Sequence, residues 1–394
     1  MDRRAYDGRW RAAVIAVAAL LMLVPPGRGL HAQQQAADTA RAAALAAPPT
    51  PLAPEAASAG ITRFSFIVYG DTRGQRDGID IHPVHALVVE SMLRKIADLR
   101  AGPDPVRFVL QSGDAVTNGA FAAQWNVSFK PIVDQLATIG GVPYFLAPGN
   151  HDVSSADTVG APARVRGLRN YNAAMANLIP PNGSPRRLTD YPTYAFGYGN
   201  TFLLGFDSNI AGDTVQYAWV RSQLEGLDRR RYQHIAVFIH HPAYSSGPHG
   251  GAIIERATAL IRERYMPLFR KHNVDMLFAG HEHLFEHWVE HWVDSTGKWR
   301  RMDQVVTGGG GAPIYTYQGE PDLRQYRLAG RSDSLRVVHY VRPGVDVSDN
   351  PPHYVVVHVD GERVWQEVVG VDWGRSFAPY RSNRSPLVDT ARTP

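Results

Sequence analysis

The sequence of 394 residues contains no cysteine. This excludes disulfides, thiolate zinc sites, iron–sulfur clusters and a cysteine nucleophile. The chain also has little charge bias, because the net charge is only +4 and the basic residues are dispersed. Charge therefore gives no support to nucleic-acid binding, and we expect no nucleic-acid-binding domain. Any metal must be held by histidine, carboxylate, amide or water, and the 16 histidines supply many candidates.

Long apolar runs are also scarce, and the longest lies near the N-terminus. Residues 12–24 follow several arginines and end before Pro25. The run is too short to span a bilayer, which needs about 20 residues, and residues 30–32 are typical of a cleavage site before Gln33. We predict a signal peptide over 1–32 and no transmembrane helix in the mature chain; an uncleaved anchor helix is the alternative. An exported chain without cysteine indicates a bacterial protein of the periplasm or extracellular space.

Composition divides the remaining chain into three parts. Residues 33–60 are rich in alanine and proline, which predicts a disordered linker. Residues 376–394 are polar, with several arginines and prolines, and are predicted to form a disordered tail. The folded domain is therefore expected over 61–375. With 44% hydrophobic residues in the whole chain, it can bury a sizeable core.

Apolar strands and helical stretches alternate along this domain. Residues 64–69, 107–111 and 234–239 have the pattern of buried strands, whereas 82–100 has helical periodicity. Residues 285–292 alternate as a strand does, although a helix there would pair two histidines for a third metal site. Alternating strands and helices predict an α/β fold whose sheets are covered by helices.

Polar residues of metal-ligand type follow five of the predicted strands. The clusters contain Asp71, Asp114, Asn150, His151, His240, His281 and His283. In open α/β sheets the ligand crevice lies at the carboxyl ends of the strands, so these clusters are expected to converge. Carboxylate, amide and imidazole donors suit manganese, zinc or iron. The set is too large for one tetrahedral ion and about sufficient for two ions that share a carboxylate.

The ordered series Gly-Asp, Gly-Asp, Gly-Asn-His-Asp, His and Gly-His-x-His resembles the calcineurin-like metallophosphoesterase superfamily. Residues 70–73, 240–247 and 308–313 resemble its purple acid phosphatase branch. The resemblance implies a four-layer sandwich, in which two packed mixed β-sheets are flanked by helices. It also implies two divalent or trivalent ions of manganese, zinc or iron, bridged by one carboxylate.

The resemblance assigns roles to individual residues. Asp114 would bridge the two ions, Asp71 and His283 would hold the first ion, and the second would be held by Asn150, His240 and His281. His151 would lie beside the scissile phosphate as proton donor, with Asp152 either orienting its imidazole or capping a turn. His249 would contact substrate, although an exposed loop histidine is the alternative. A hydroxide formed at the ion pair would attack phosphorus. The expected activity is hydrolysis of small phosphate monoesters, with diesters left open.

Two positions depart from the family pattern. Arg73 stands where most of the superfamily has histidine, and Thr117 stands where purple acid phosphatases have tyrosine. The first ion therefore loses a protein ligand, which water, Thr117 or Asn118 would replace, and we expect no purple colour. Arg73 either pairs with phosphate oxygens or forms a structural salt bridge. Because of these two changes, the alternative function is that of a non-catalytic binding protein that retains the fold.

Overall fold

The computed structural model describes residues 40–250, 254–329, 334–371 and 384–388. The predicted signal peptide lies outside these residues. Among the residues that are described, no helix has both the length and the apolar run needed to cross a bilayer. The strands, in chain order, are β1 (Arg63–Tyr69), β2 (Val106–Gln111), β3 (Tyr144–Leu146), β4 (Tyr194–Tyr198), β5 (Thr201–Gly205), β6 (His234–Phe238), β7 (Met276–Ala279), β8 (Phe285–Val293), β9 (Trp299–Thr307), β10 (Leu335–Val341), β11 (His353–Asp360), β12 (Arg363–Gly370) and β13 (Arg384–Val388).

These strands form two mixed sheets. In the described part of the chain, the first sheet has the order β13-β12-β11-β1-β2-β3 and the second has β10-β8-β9-β7-β6-β5-β4. Pairs β1–β2 and β2–β3 are parallel in the first sheet, as are β5–β6, β6–β7 and β7–β9 in the second. The carboxyl ends of the parallel strands therefore lie at one edge of each sheet, where the predicted ligands follow them.

Helices flank the two sheets. They are α1 (Pro83–Leu99), α2 (Lys130–Thr138), α3 (Asn150–Val153), α4 (Pro162–Ala174), α5 (Thr214–Glu225), α6 (Arg256–Leu260), α7 (Met266–Lys271) and α8 (Arg324–Ala329). Turns of π-helix precede α2, over Gln124–Phe129, and α7, over Ile261–Tyr265. Helix α1 begins where the sequence predicts it, because Pro83 fits the first helical position and His82 Nδ1 accepts the amide hydrogen of Val84 at 3.2 Å.

The core between the sheets is largely aromatic. Phe66 of β1 meets Phe278 of β7 edge-on, with ring centroids 6.0 Å apart, and Phe145 stacks on Phe196 at 4.2 Å. A second apolar core lies beneath α5 and α7 on the other face of the second sheet. Helix, sheet, sheet and helix thus form four layers, which confirms the predicted sandwich. Residues 285–293 form a strand, as expected, and His287 is paired with Asp303 inside the protein.

The structure corrects two predicted boundaries. The described part of the predicted linker packs on the domain: Leu45 is buried, and Glu55 forms a bidentate ion pair with Arg186. The amide of Ala46 also donates to the Asp134 carboxylate at 2.8 Å. Composition predicts disorder here because the segment cannot form a hydrophobic core of its own. In the structure it packs against the domain instead. Within the predicted tail, Arg384–Val388 forms the edge strand β13.

Candidate metal centre

The predicted ligands meet at the edge where β1, β2, β3, β6 and β7 end. The backbone amide of His281 donates to Asp71 Oδ2 at 2.9 Å, which joins the ends of β1 and β7. His240 Nδ1 donates to the Ser112 carbonyl at 2.9 Å, which joins β6 to β2. His240 Nε2 lies 2.8 Å from Asn150 Oδ1, at the start of the one-turn helix α3 that follows β3. Five separate chain segments therefore supply one site.

The backbone at this edge is held in a sparsely populated conformation. Asp71, Asp114 and His281 have φ of 59°, 56° and 71°, a left-handed conformation that is uncommon for residues other than glycine. Strained residues of this kind cluster at functional sites, because the surrounding structure must over-determine them. Neighbouring glycines permit the close packing: a Cβ atom on Gly149 would lie 2.1 Å from Asp114 Oδ1. The motif glycines thus have a steric reason to be glycine.

One group of side chains, which we call the second cluster, places its donor atoms around His240 Nε2. It comprises Asp114, Asn150, His240 and His281. His240 donates its Nδ1 hydrogen to Ser112, and His281 donates its Nε2 hydrogen to Glu255 at 3.0 Å, so the remaining nitrogens carry lone pairs. His240 Nε2 lies 3.1 Å from His281 Nδ1 and 3.4 Å from Asp114 Oδ1. Donors about 2.0–2.1 Å from a metal are spaced by roughly 3 Å, so this set fits a divalent transition metal.

A second group, the first cluster, comprises Asp71, Asp114 and His283. Their donor atoms lie within 4.8 Å of one another. His283 donates its Nδ1 hydrogen to the Pro313 carbonyl at 2.7 Å, and its Nε2 lies 3.5 Å from Asp71 Oδ1. Asp114 belongs to both clusters, which is the position that the resemblance assigns to a bridging carboxylate. The first cluster supplies fewer donors than the second and fits a metal less completely.

Arg73 faces the first cluster. Its Nε lies 3.3 Å from Asp114 Oδ2, and its Nη2 donates to His283 Nε2 at 3.4 Å. Thr117 does not replace the missing ligand, because its hydroxyl contacts the Gly74 carbonyl at 2.6 Å and an Asp77 carboxylate oxygen at 3.0 Å. Both arginine and threonine therefore lie at the site, but only arginine reaches the predicted ligands.

His151 and Asp152 occupy different surroundings. His151 Nδ1 lies 2.7 Å from the Thr117 carbonyl and donates to it, so Nε2 faces the site, 4.0 Å from Asp114 Oδ2. Asp152 accepts the backbone amides of Ala115 and Gly149 at 2.9 and 2.8 Å. The prediction that Asp152 orients the His151 imidazole is therefore wrong, and the alternative of a turn-capping role holds. The carbonyl of Thr117 orients the imidazole instead.

His249 reaches the site through a residue that the sequence analysis missed. Glu255 accepts from His249 Nδ1 at 2.8 Å and from His281 Nε2 at 3.0 Å, so it joins a predicted substrate residue to a predicted ligand. The rings of His249 and His281 lie 4.5 Å apart. Tyr315 was also missed; it stacks on His283 with centroids 4.1 Å apart. Both lie outside the recognised motifs, so no sequence signal marked them.

Burial and charge set the protonation of the ligands. Burial lowers the pKa of His240 and of His281 to about 4, and burial together with Arg73 lowers the pKa of His283 to about 3. The imidazoles are therefore neutral, as metal ligation requires. Burial and the nearby charge of Asp114 raise the pKa of Asp71 well above its ordinary value. Burial acts in the same direction on the pKa of Asp114, but His240, His151 and Arg73 outweigh it and keep that pKa well below its ordinary value.

Comparison with known proteins agrees with this geometry. The family model described as "Calcineurin-like phosphoesterase" matches residues 65–285. Three relatives from Arabidopsis thaliana are similar in sequence. "Probable purple acid phosphatase 20" is 26% identical over 177 residues, covering 44% of this chain and 38% of the relative. "Fe(3+)-Zn(2+) purple acid phosphatase 12" is 27% identical over 148 residues, covering 36% and 29%. "Probable inactive purple acid phosphatase 24" is 25% identical over 268 residues, covering 63% and 41%.

A solved structure shares the fold. The purple acid phosphatase PPD1 from yellow lupin (Lupinus luteus) seeds superposes with a TM-score of 0.56 at 18% identity, covering 83% of this chain and 54% of that protein. At this identity the likeness establishes the fold alone. This chain spans less than half the length of the curated relatives described above.

Proposed function

The chain belongs to the calcineurin-like phosphoesterase family and is similar to purple acid phosphatases within it, and from this premise we propose that it is a metal-dependent hydrolase of phosphate esters. The observation that carries the proposal is the second cluster. Asn150 Oδ1, His240 Nε2 and His281 Nδ1 converge as acceptors with their lone pairs facing one another. Buried acceptors in this arrangement are costly unless a cation satisfies them.

A divalent ion would be held by Asp114, Asn150, His240 and His281. When bound, it supplies a Lewis acid that draws charge from the phosphoryl oxygens and acidifies nearby water. The protein fixes the ligands beforehand, since the other nitrogen of each imidazole is anchored on Ser112 or Glu255. The family implies a second ion, for which the first cluster offers Asp71, Asp114 and His283.

His151 is proposed as the proton donor to the leaving alcohol. Its Nδ1 hydrogen is held by the Thr117 carbonyl, which directs Nε2 toward the site. The side chain is 31% exposed, so an ester oxygen can approach it from solvent. A proton delivered there converts a poor alkoxide leaving group into a neutral alcohol.

Arg73 and His249 are proposed to contact the phosphoryl group. The guanidinium directs Nε and Nη2 at protein atoms and has further N–H groups for phosphate oxygens. The hydrogen bond to Glu255 raises the pKa of His249, which favours a second positive charge beside the same site. Two cations next to a metal suit a dianionic monoester better than a diester.

The test is hydrolysis of 4-nitrophenyl phosphate and bis(4-nitrophenyl) phosphate by the purified full chain after loading with Mn²⁺ or Zn²⁺. We expect chelator-sensitive turnover that favours the monoester and is lost in the matched Asp114→Asn variant. Metal and phosphate binding without turnover of either ester would contradict the proposal and support the non-catalytic alternative.

We also propose that the protein is exported. The support is the basic start, the apolar run over 12–24 and the cleavage pattern before Gln33. N-terminal sequencing of protein from the periplasm or medium of an expressing bacterium is expected to begin at Gln33. A mature chain that starts at Met1 would overturn this proposal.

A further inference from the structure

The first cluster contains a side chain that the family's metal site does not require. We propose that the Arg73 guanidinium is the permanent cation of the first cluster, so that the protein holds one metal ion, in the second cluster, rather than two. The catalytic meaning of this arrangement rests on the proposed function, but the metal stoichiometry does not.

The lone pair of His283 carries the first step of the argument. His283 donates its Nδ1 hydrogen to the Pro313 carbonyl at 2.7 Å, so its Nε2 has a lone pair and no hydrogen. Arg73 Nη2 donates to that nitrogen at 3.4 Å. A metal at the first cluster would need the same lone pair, so metal and guanidinium compete for one nitrogen.

Asp114 divides its two oxygens between two cations. Oδ1 faces the second cluster, 3.4 Å from His240 Nε2. Oδ2 faces Arg73 Nε at 3.3 Å. The carboxylate that would bridge two ions in the family pattern therefore bridges the second metal site and a guanidinium.

The loop that carries Arg73 is fastened in this orientation. Asp77 Oδ2 accepts the backbone amides of Gly74 and Thr117 at 3.0 and 2.9 Å, and it also contacts the Thr117 hydroxyl. Thr117 cannot turn toward the first cluster without giving up these contacts. The same hydrogen bonds hold residues 73–77 against the site and keep the guanidinium facing inward.

Charge favours the same conclusion. Arginine stays protonated under all ordinary conditions and is not a metal ligand. Asp71 and Asp114 are both buried, so a positive charge beside them is favourable. Arg73 supplies that charge at the first cluster without any metal. A divalent ion placed there as well would lie beside a like charge in a poorly screened site.

Metal stoichiometry of the full chain tests the proposal. Chelator-stripped protein is titrated with Mn²⁺ or Zn²⁺ by calorimetry and then desalted for elemental analysis. We expect about one tightly bound ion per chain for the wild type. Arg73→His replaces the cation with an imidazole lone pair, so about two ions are expected. Arg73→Lys keeps the positive charge and is the matched control, with about one ion expected.

Two tightly bound ions in the wild type would overturn the proposal, as would a folded Arg73→His variant that still binds only one. Circular dichroism and thermal unfolding verify that each variant is folded. If Arg73→His does not fold, Arg73→Gln is used as the test variant in its place. The glutamine variant removes the competing charge, so a second, weaker binding event is expected, and its absence would likewise count against the proposal.

Ester hydrolysis measured on the same samples separates this inference from the proposed function. One bound ion without hydrolysis of any phosphate ester would reject the function and leave the stoichiometry standing. Hydrolysis by a wild type that holds two ions would support the proposed function and reject the one-ion stoichiometry.

Discussion

The first and second clusters both contain aspartate and histidine and share Asp114, yet they differ in what faces their donors. In the second cluster, the lone pairs of Asn150, His240 and His281 face one another. In the first, the lone pair of His283 faces a hydrogen of Arg73. One cluster is arranged for an added cation and the other already contains a cation.

This difference indicates that the residues around a set of metal ligands, as well as the ligands themselves, decide whether the set can receive a metal ion. His240 and His283 both anchor Nδ1 on a backbone carbonyl and present Nε2 to the site. The two histidines differ in the group that faces Nε2. For His283 this group is the guanidinium of Arg73, which stands two positions after Asp71, where most of the superfamily has histidine.

The largest expected effect would test this comparison directly. His240→Ala removes a donor that the second cluster cannot replace, so we expect it to abolish tight metal binding. His283→Ala, the matched variant in the first cluster, is expected to retain about one ion per chain. Elemental analysis after metal loading and desalting measures both. If the two variants lose metal equally, the two clusters are not functionally different.

The next effect concerns catalysis with the metal in place. His151→Asn removes the proposed proton donor without altering either cluster, so kcat is expected to fall by about 100- to 10,000-fold. The loss is expected to be smaller for 4-nitrophenyl phosphate than for phenyl phosphate, since 4-nitrophenolate leaves without a proton. Steady-state kinetics with both esters measures this, and metal content is the control. Equal losses for both leaving groups would argue against proton donation.

A smaller effect is expected behind the second cluster. Glu255→Gln keeps a hydrogen-bond acceptor for His281 but removes the charge that makes the imidazole more basic. Metal affinity is expected to fall by about 10- to 100-fold, or about 1.4–2.7 kcal/mol. Calorimetric titration measures the change. Glu263→Gln, at an exposed glutamate eight residues later, is the control and is expected to leave the affinity unaltered. An unchanged Kd in Glu255→Gln would show that this carboxylate does not tune the site.

A last effect concerns the support behind the first cluster. His353 packs against Gly309, in the glycine run that passes Asp71, and burial lowers the pKa of His353 to about 4 from an ordinary 6.5. Between pH 4 and 6.5, His353 is therefore more often protonated in the unfolded chain than in the folded one. The contribution of His353 to the free energy of unfolding falls as pH drops through that window, by up to about 1.4 kcal/mol per pH unit.

Denaturant unfolding at several pH values measures this dependence. His353→Gln, compared with the wild type in the same metal state, is expected to have a shallower fall in stability between pH 6.5 and 4. Identical slopes for the two proteins would mean that His353 does not supply the pH dependence.

Much of the candidate site followed from the sequence because its residues lie directly after strands. The end of β1 predicts the place of Asp71, and the end of β7 predicts that of His281 and His283, since parallel strands direct their carboxyl ends to one edge. Other features had no local signal. Strand β9 contains Arg301 and Asp303, which interrupt its apolar pattern, and in the folded protein Asp303 is paired with His287 and Arg301.

The sequence by itself determined the α/β alternation, the position of the ligand-bearing turns and the glycines that let them approach, because these depend on periodicity and local backbone geometry. Only the tertiary structure decided that Arg73 faces His283, that Asp152 caps a turn and that Glu255 anchors His281. The contacts of Arg73 with His283 and of Glu255 with His281 join residues whose separation along the chain carries no pattern. Which atom faces a lone pair depends on packing, and packing decides whether a cluster receives a metal or an arginine.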